Sequence, residues 1–183
     1  PEDPLNIAVD INNYCIENQP ANIQLSISNT GNSFNWYAET TDPGNLVGSD
    51  PVISIPAPNV TTTYLVQSET SCGASNTESV TVTVHPSPVV AFSVADNCQL
   101  SNVAFSDQTT IASGSLNTWS WDFGDGQSSN QANPNHVYTN HGSFATSLTV
   151  VSDLGCVSQN TQNIIASRNE WSCCNCWINT SFI

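Results

Sequence analysis

Trp119-Ser120-Trp121-Asp122-Phe123-Gly124-Asp125-Gly126 is the stretch on which the fold turns. Three aromatic rings alternate with small or acidic residues, so a period of two places Trp119, Trp121 and Phe123 on one face of a strand. Asp125-Gly126 then supplies a hairpin turn, because glycine takes the positive φ of a tight reversal without steric cost. A strand with one aromatic face must bury it, and a second sheet is the usual cover. The expectation is a sandwich core; the alternative is that Trp119 and Trp121 form an exposed platform on which sugar rings stack.

Working outward, the same period recurs in Val103-Ala104-Phe105, in Phe144 to Val151 and in Val157 to Ile165, with a further run at Val89-Val90-Ala91-Phe92. The first half repeats the pattern in Ile23, Leu25 and Ile27, in Phe34 and Trp36, and in Val80, Val82 and Val84. Asn29-Thr30-Gly31-Asn32, Asp42-Pro43-Gly44-Asn45 and Pro56-Ala57-Pro58-Asn59 separate these runs with turn chemistry. His85-Pro86-Ser87-Pro88 interrupts them with two prolines that cannot join a ladder, which predicts a short stiff linker. The predicted fold is all-β: a sandwich over residues 1–86, a second over 87–166, and a Trp/Cys-rich tail over 167–183.

Cysteine spacing supports a repeat. Cys15 to Cys72 covers 57 positions and Cys98 to Cys156 covers 58, while Trp36 and Trp119 each follow their first cysteine by 21. Seven cysteines in so small an acidic chain imply an oxidising compartment, and the spacing predicts one disulfide per half, Cys15 with Cys72 and Cys98 with Cys156. A loop of that length would remove about 4 kcal/mol of denatured-state entropy in the chain-entropy model. Metal binding by these four needs close pairs such as Cys-x-x-Cys, which neither half contains.

Charge excludes other functions. Fifteen acidic residues face one basic residue, Arg168, for a net charge of −14, so neutralising nucleic-acid phosphates or docking on anionic lipid would be opposed electrostatically. Only 9% of residues are charged, and solubility falls to Asn, Ser and Thr, as on the surfaces of secreted proteins. No apolar run reaches the roughly 18 to 20 residues that span a bilayer, so membrane insertion is not expected. Pro1-Glu2-Asp3-Pro4 stands where a leader would be basic and then apolar, the expectation for a processed or excised segment.

The W-D-F-G-D-G run at Trp121 to Gly126, its preceding Trp119, the Asn133-Pro134-Asn135-His136-Val137-Tyr138 turn and Gly142-Ser143-Phe144 occur in one order. Over about residues 88 to 166 they closely resemble the PKD (polycystic kidney disease) domain. That resemblance implies an Ig-like sandwich of the kind found in bacterial surface proteins and beside catalytic domains of secreted proteases and chitinases, without catalysis of its own. Residues 5 to 86, with Cys15, Asn35-Trp36-Tyr37, Thr62 to Val66 and Cys72, resemble the Ig-like modules of large secreted bacterial proteins. The tryptophan comes later after its cysteine than in antibody domains, which predicts a bridge between strand ends or loops rather than across the core.

Candidate chemistry is sparse. Asp122, Asp125 and Asp107 could offer oxygens to Ca²⁺, which takes about six to eight, although their spacing is not that of an EF-hand loop. No other cofactor is indicated. The three histidines, His85, His136 and His141, have no nucleophile motif beside them, and the absence of lysine excludes Schiff-base chemistry. Trp171, Cys173, Cys174, Cys176, Trp177 and Phe182 cluster in the tail, where an odd cysteine count and exposed rings suggest intermolecular contact. Asn59 and Asn179 head N-x-S/T patterns that permit glycosylation. Together these features predict a noncatalytic structural or adhesive module of a bacterial extracellular surface protein, with homo-oligomers or neighbouring modules as partners and a fibre subunit as the sharpest form. The alternative is an accessory carbohydrate-binding module of a secreted hydrolase, with glycans as partners.

Overall fold

The computed structural model describes residues 6–28, 33–70, 73–95 and 101–167. The chain divides into two compact units, Pro1–Pro86 and Ser87–Ile183, and among the described residues the regular elements of each are almost wholly β-strands.

The first unit holds β1 (Ile7–Val9), β2 (Asn13–Cys15), β3 (Asn22–Ile27), β4 (Ser33–Ala38), β5 (Leu46–Gly48), β6 (Val52–Pro56), β7 (Thr62–Thr70) and β8 (Gly73–His85). They form two sheets, β1-β3-β6 and β2-β8-β7-β4-β5, antiparallel except where β2 runs parallel to β8. Alternation sets the core, as the period predicted. Ile23, Leu25 and Ile27 turn inward from one sheet and meet Phe34, Trp36, Val66 and Val82 from the other. Trp36 is fully buried, and burial of an indole requires a partner for its N–H; it donates to Asp50 O at 3.0 Å. Single turns of 3-10 helix fall between strands at Ile16–Asn18 and at Pro43–Asn45, the second where the sequence predicted a turn alone.

The second unit holds β9 (Phe92–Ala95), β10 (Val103–Asp107), β11 (Leu116–Asp122), β12 (Ser128–Ser129), β13 (Asn135–His136), β14 (Gly142–Ser152) and β15 (Val157–Ala166). Its sheets are β13-β10-β9 and β12-β11-β14-β15. Phe92, Phe105, Trp121, Phe123, Leu148 and Val150 pack between them. The carboxamides of Asn160 and Gln162 on β15 donate to the carbonyls of Val90 and Phe92 at 3.0 and 3.1 Å, which fastens one sheet to the other where no ladder joins them. One expected strand begins late. Val89 is 68% exposed and makes only an isolated bridge to Thr110, and the strand starts at Phe92. The fold is thus all-β, two tandem Ig-like sandwiches.

Candidate functional site

The aromatic strand and the turn after it organise the second unit. β11 pairs with β14, Trp121 opposite Leu148 and Trp119 opposite Val150, so both indoles are on the face that meets the other sheet. Trp121 is fully buried, with Phe92 and Phe105 edge-on at 5.0 and 5.3 Å, and its Nε1–H donates to Gln131 O at 2.9 Å. Phe123 is 2% exposed. The sugar-platform alternative therefore fails at Trp121. Trp119 is partly buried against the same core, and its Nε1–H is spent on Asp107 Oδ2 at 2.7 Å.

The turn is held by its own acids. Asp122 Oδ1 accepts the Gly124 N–H at 2.9 Å and Asp125 Oδ1 accepts the Gln127 N–H at 3.1 Å, the local bonds by which aspartate favours turns. Gly124 and Gly126 both have positive φ, +79° and +89°. A Cβ on Gly124 would also lie 2.7 Å from Ala145 O, so glycine is needed there for space as well as for conformation.

Asp125 has a second duty. Its Oδ2 lies 2.8 Å from His136 Nε2, and the imidazole stacks flat on Phe123 with ring centres 4.0 Å apart. A carboxylate only accepts, so Nε2–H is the donor. Tyr138, fully buried, places its hydroxyl 3.1 Å from Phe123 O and 2.8 Å from Thr146 Oγ1, and Thr146 Oγ1 lies 3.1 Å from the same carbonyl. Burial raises the Tyr138 phenol above its ordinary value, with the Asp125 and Asp122 charges adding to the rise and the Thr146 bond opposing it.

The calcium candidates do not assemble. Asp107 accepts from Trp119 and from both the N–H and hydroxyl of Thr109, while Asp122 and Asp125 serve the turn. Among the described residues no three His, Cys, Asp or Glu side chains group so as to hold a metal ion. The pairs Asp125–His136 and Asp107–Trp119 were not legible in the sequence, since their members lie 11 and 12 residues apart and meet only through register.

Cys15 closes β2 and Cys156 sits, fully buried, in the turn between β14 and β15; both are disulfide-bonded. Cys72 and Cys98 lie outside the described residues, as do Asn179 and the tail residues Trp171, Cys173, Cys174, Cys176, Trp177 and Phe182. Asn59 is exposed in a bend, with Val60 beside it 69% exposed.

Residues 85–166 match the family model of the PKD domain, and residues 1–86 match that of the Ig-like domain, CHU_C associated. The chain is an Ig-like domain followed by a PKD domain. Among curated proteins it is similar to Collagenase ColA of Bacillus cereus, 34% identical over 64 residues, which are 35% of this chain and 7% of the collagenase. The chain thus spans a small fraction of that relative. Among solved structures it is similar to the PKD1 domain of Vibrio anguillarum Epp, 31% identical, covering 44% of this chain and 94% of that one with a TM-score of 0.42. The PKD1 domain from the Vibrio cholerae metalloprotease PrtV is 32% identical, covers 44% of this chain and 98% of that one, and has a TM-score of 0.42. PKD and Ig-like domains are typically noncatalytic accessory modules of extracellular proteins. Among the described residues no helix is long and apolar enough to cross a membrane.

Proposed function

We propose that this Ig-like–PKD tandem is a structural or adhesive module of a bacterial extracellular surface protein, which spaces, displays or joins its neighbours and in its sharpest form is a fibre subunit. One observation carries the reading: the chemistry-bearing side chains of the PKD motif are committed to the fold. Trp121 and Phe123 fill the core, Asp122 and Asp125 hold the turn, and His136 is bonded to Asp125. Its partners are copies of itself or adjoining modules, with the segment 167–183 as the contact.

A second reading, an accessory module of a secreted hydrolase, is favoured by the identity to a stretch of Collagenase ColA. Its carbohydrate-binding form would need exposed indoles, and Trp121 is fully buried.

Light scattering of the full chain over a concentration series, beside retention on insoluble chitin and cellulose, tests the two. Self-association without retention is the expected result. Retention that Trp119→Ala abolishes while the fold survives would overturn it in favour of the accessory module.

A further inference from the structure

The spacing of the cysteines implies a staple inside each domain, and strand register argues otherwise. In the first domain Cys15 pairs with His85, the last residue of β8, whereas Gly73 begins β8 as the register partner of Thr70. β8 is 13 residues long, so at about 3.3 Å per residue its ends are about 40 Å apart. Cys72 is joined by its peptide bond to Gly73, which limits the distance between their Cα atoms to about 3.8 Å. A disulfide needs Cα atoms within about 7 Å.

The second domain repeats the conflict. Asn160 reaches Val90 and Gln162 reaches Phe92, so β9 and β15 advance in the same direction side by side. Ala95 at the end of β9 is thereby level with the Ala166 end of β15, while Cys156 precedes Val157 at the other end. β15 is 10 residues long, about 30 Å. Cys98 is three residues beyond Ala95, and three residues bring it back by at most about 11 Å.

Cys15 and Cys156 are nonetheless both disulfide-bonded. We infer that neither is bonded to its spacing partner, and that these half-cystines are cross-linking sites at domain ends rather than staples of domain cores. Residues 1–86 hold no cysteine besides Cys15 and Cys72, so the partner of Cys15 is a cysteine beyond residue 86 or on another chain. The cross-link fastens the end of the first sandwich at which the chain departs through Pro86. Forming each bond takes two protons and two electrons from two thiols. An extracytoplasmic oxidant of the disulfide class accepts them by thiol–disulfide exchange and leaves as a dithiol.

Peptide mapping of the full chain without reduction tests this. Trypsin would cut only after Arg168, so pepsin at acid pH is the protease, and the low pH also suppresses exchange by keeping thiols protonated. The expected result is a Cys15 peptide joined to one from beyond residue 86 or from another chain, and a Cys156 peptide joined to one without Cys98. Peptides linking Cys15 to Cys72 or Cys98 to Cys156, or either half-cystine recovered as a free thiol, would overturn the inference. As a second measure, Cys72→Ser alone leaves Cys15 oxidised and Cys98→Ser alone leaves Cys156 oxidised in a thiol titration of the denatured monomer; a thiol gained at Cys15 in the first variant or at Cys156 in the second would overturn it as well.

Discussion

His136 Nε2 and Asp125 Oδ2, 2.8 Å apart, tie strand β13 of one sheet to the turn that follows β11 of the other. The imidazole is almost wholly enclosed, stacked on Phe123 and edge-on to Tyr138 at 4.5 Å. An enclosed donor left without its acceptor keeps its desolvation penalty, about 1 to 3 kcal/mol. Asp125→Ala should therefore lower the stability of the PKD domain by that order, and His136→Ala, which removes the bond together with a buried ring stacked on Phe123, by at least as much. Because they remove one shared bond, the double variant should fall short of the sum by about 0.5 kcal/mol or more. Urea unfolding of the four proteins measures it; additive losses would show that the pair contributes nothing as a pair.

Gly124 and Gly126 share a left-handed backbone and differ in surroundings. A Cβ on Gly126 meets nothing within 4 Å, whereas on Gly124 it meets the backbone of Ala145 at 2.7 Å from O and 2.9 Å from N. Gly126→Ala should cost only the conformational term, about 1 to 2 kcal/mol. Gly124→Ala should cost about 1 to 3 kcal/mol more, since the β14 backbone has to move aside. Equal losses in thermal unfolding would mean that β14 yields freely at Ala145.

Much of the fold is legible because it is local. Ile23, Leu25 and Ile27 announce their face through a period of two, and Gly126 announces a turn through a conformation that other residues avoid. Val89 and Val90 misled only in extent: Val89 exchanges two hydrogen bonds with Thr110 in the register that β9 continues, but the ladder is not continuous until Phe92. Register is what composition does not carry. Nothing near Asp107 in the chain indicates that it receives the Trp119 N–H, and two nearly equal cysteine spacings say nothing about which end of a long strand each cysteine occupies.

Trp119 and Trp121 should part company under substitution. Trp121 is fully buried among Phe92 and Phe105, so Trp121→Ala removes a large core side chain and should cost about 3 to 5 kcal/mol. Trp119→Phe keeps a partly buried ring and loses one charge-assisted bond to Asp107, a loss of about 1.5 to 3 kcal/mol at most and less to the extent that water reaches the carboxylate. Chemical denaturation of both variants decides the ranking. A Trp121→Ala protein as stable as the parent would mean that the indole is not in the core.

Tyr138 should set the alkaline limit of the PKD domain. Its phenol is fully buried and its folded value lies above the ordinary 10.0, because burial disfavours the phenolate. The unfolded chain therefore releases this proton first. Stability from the neutral phenol is complete below the unfolded value and is lost as pH rises past about 10 toward the folded value. Tyr138→Phe should flatten that decline, while at neutral pH it loses about 1 kcal/mol with the hydroxyl's bonds to Phe123 O and Thr146. Unfolding of parent and variant at neutral and alkaline pH tests both signs, and phenolate absorbance should rise with unfolding at this residue rather than before it. An alkaline decline as steep in the variant as in the parent would assign the limit elsewhere, with Tyr14 and Tyr64 of the Ig-like domain, both also raised by burial, the remaining phenols of this kind among the described residues.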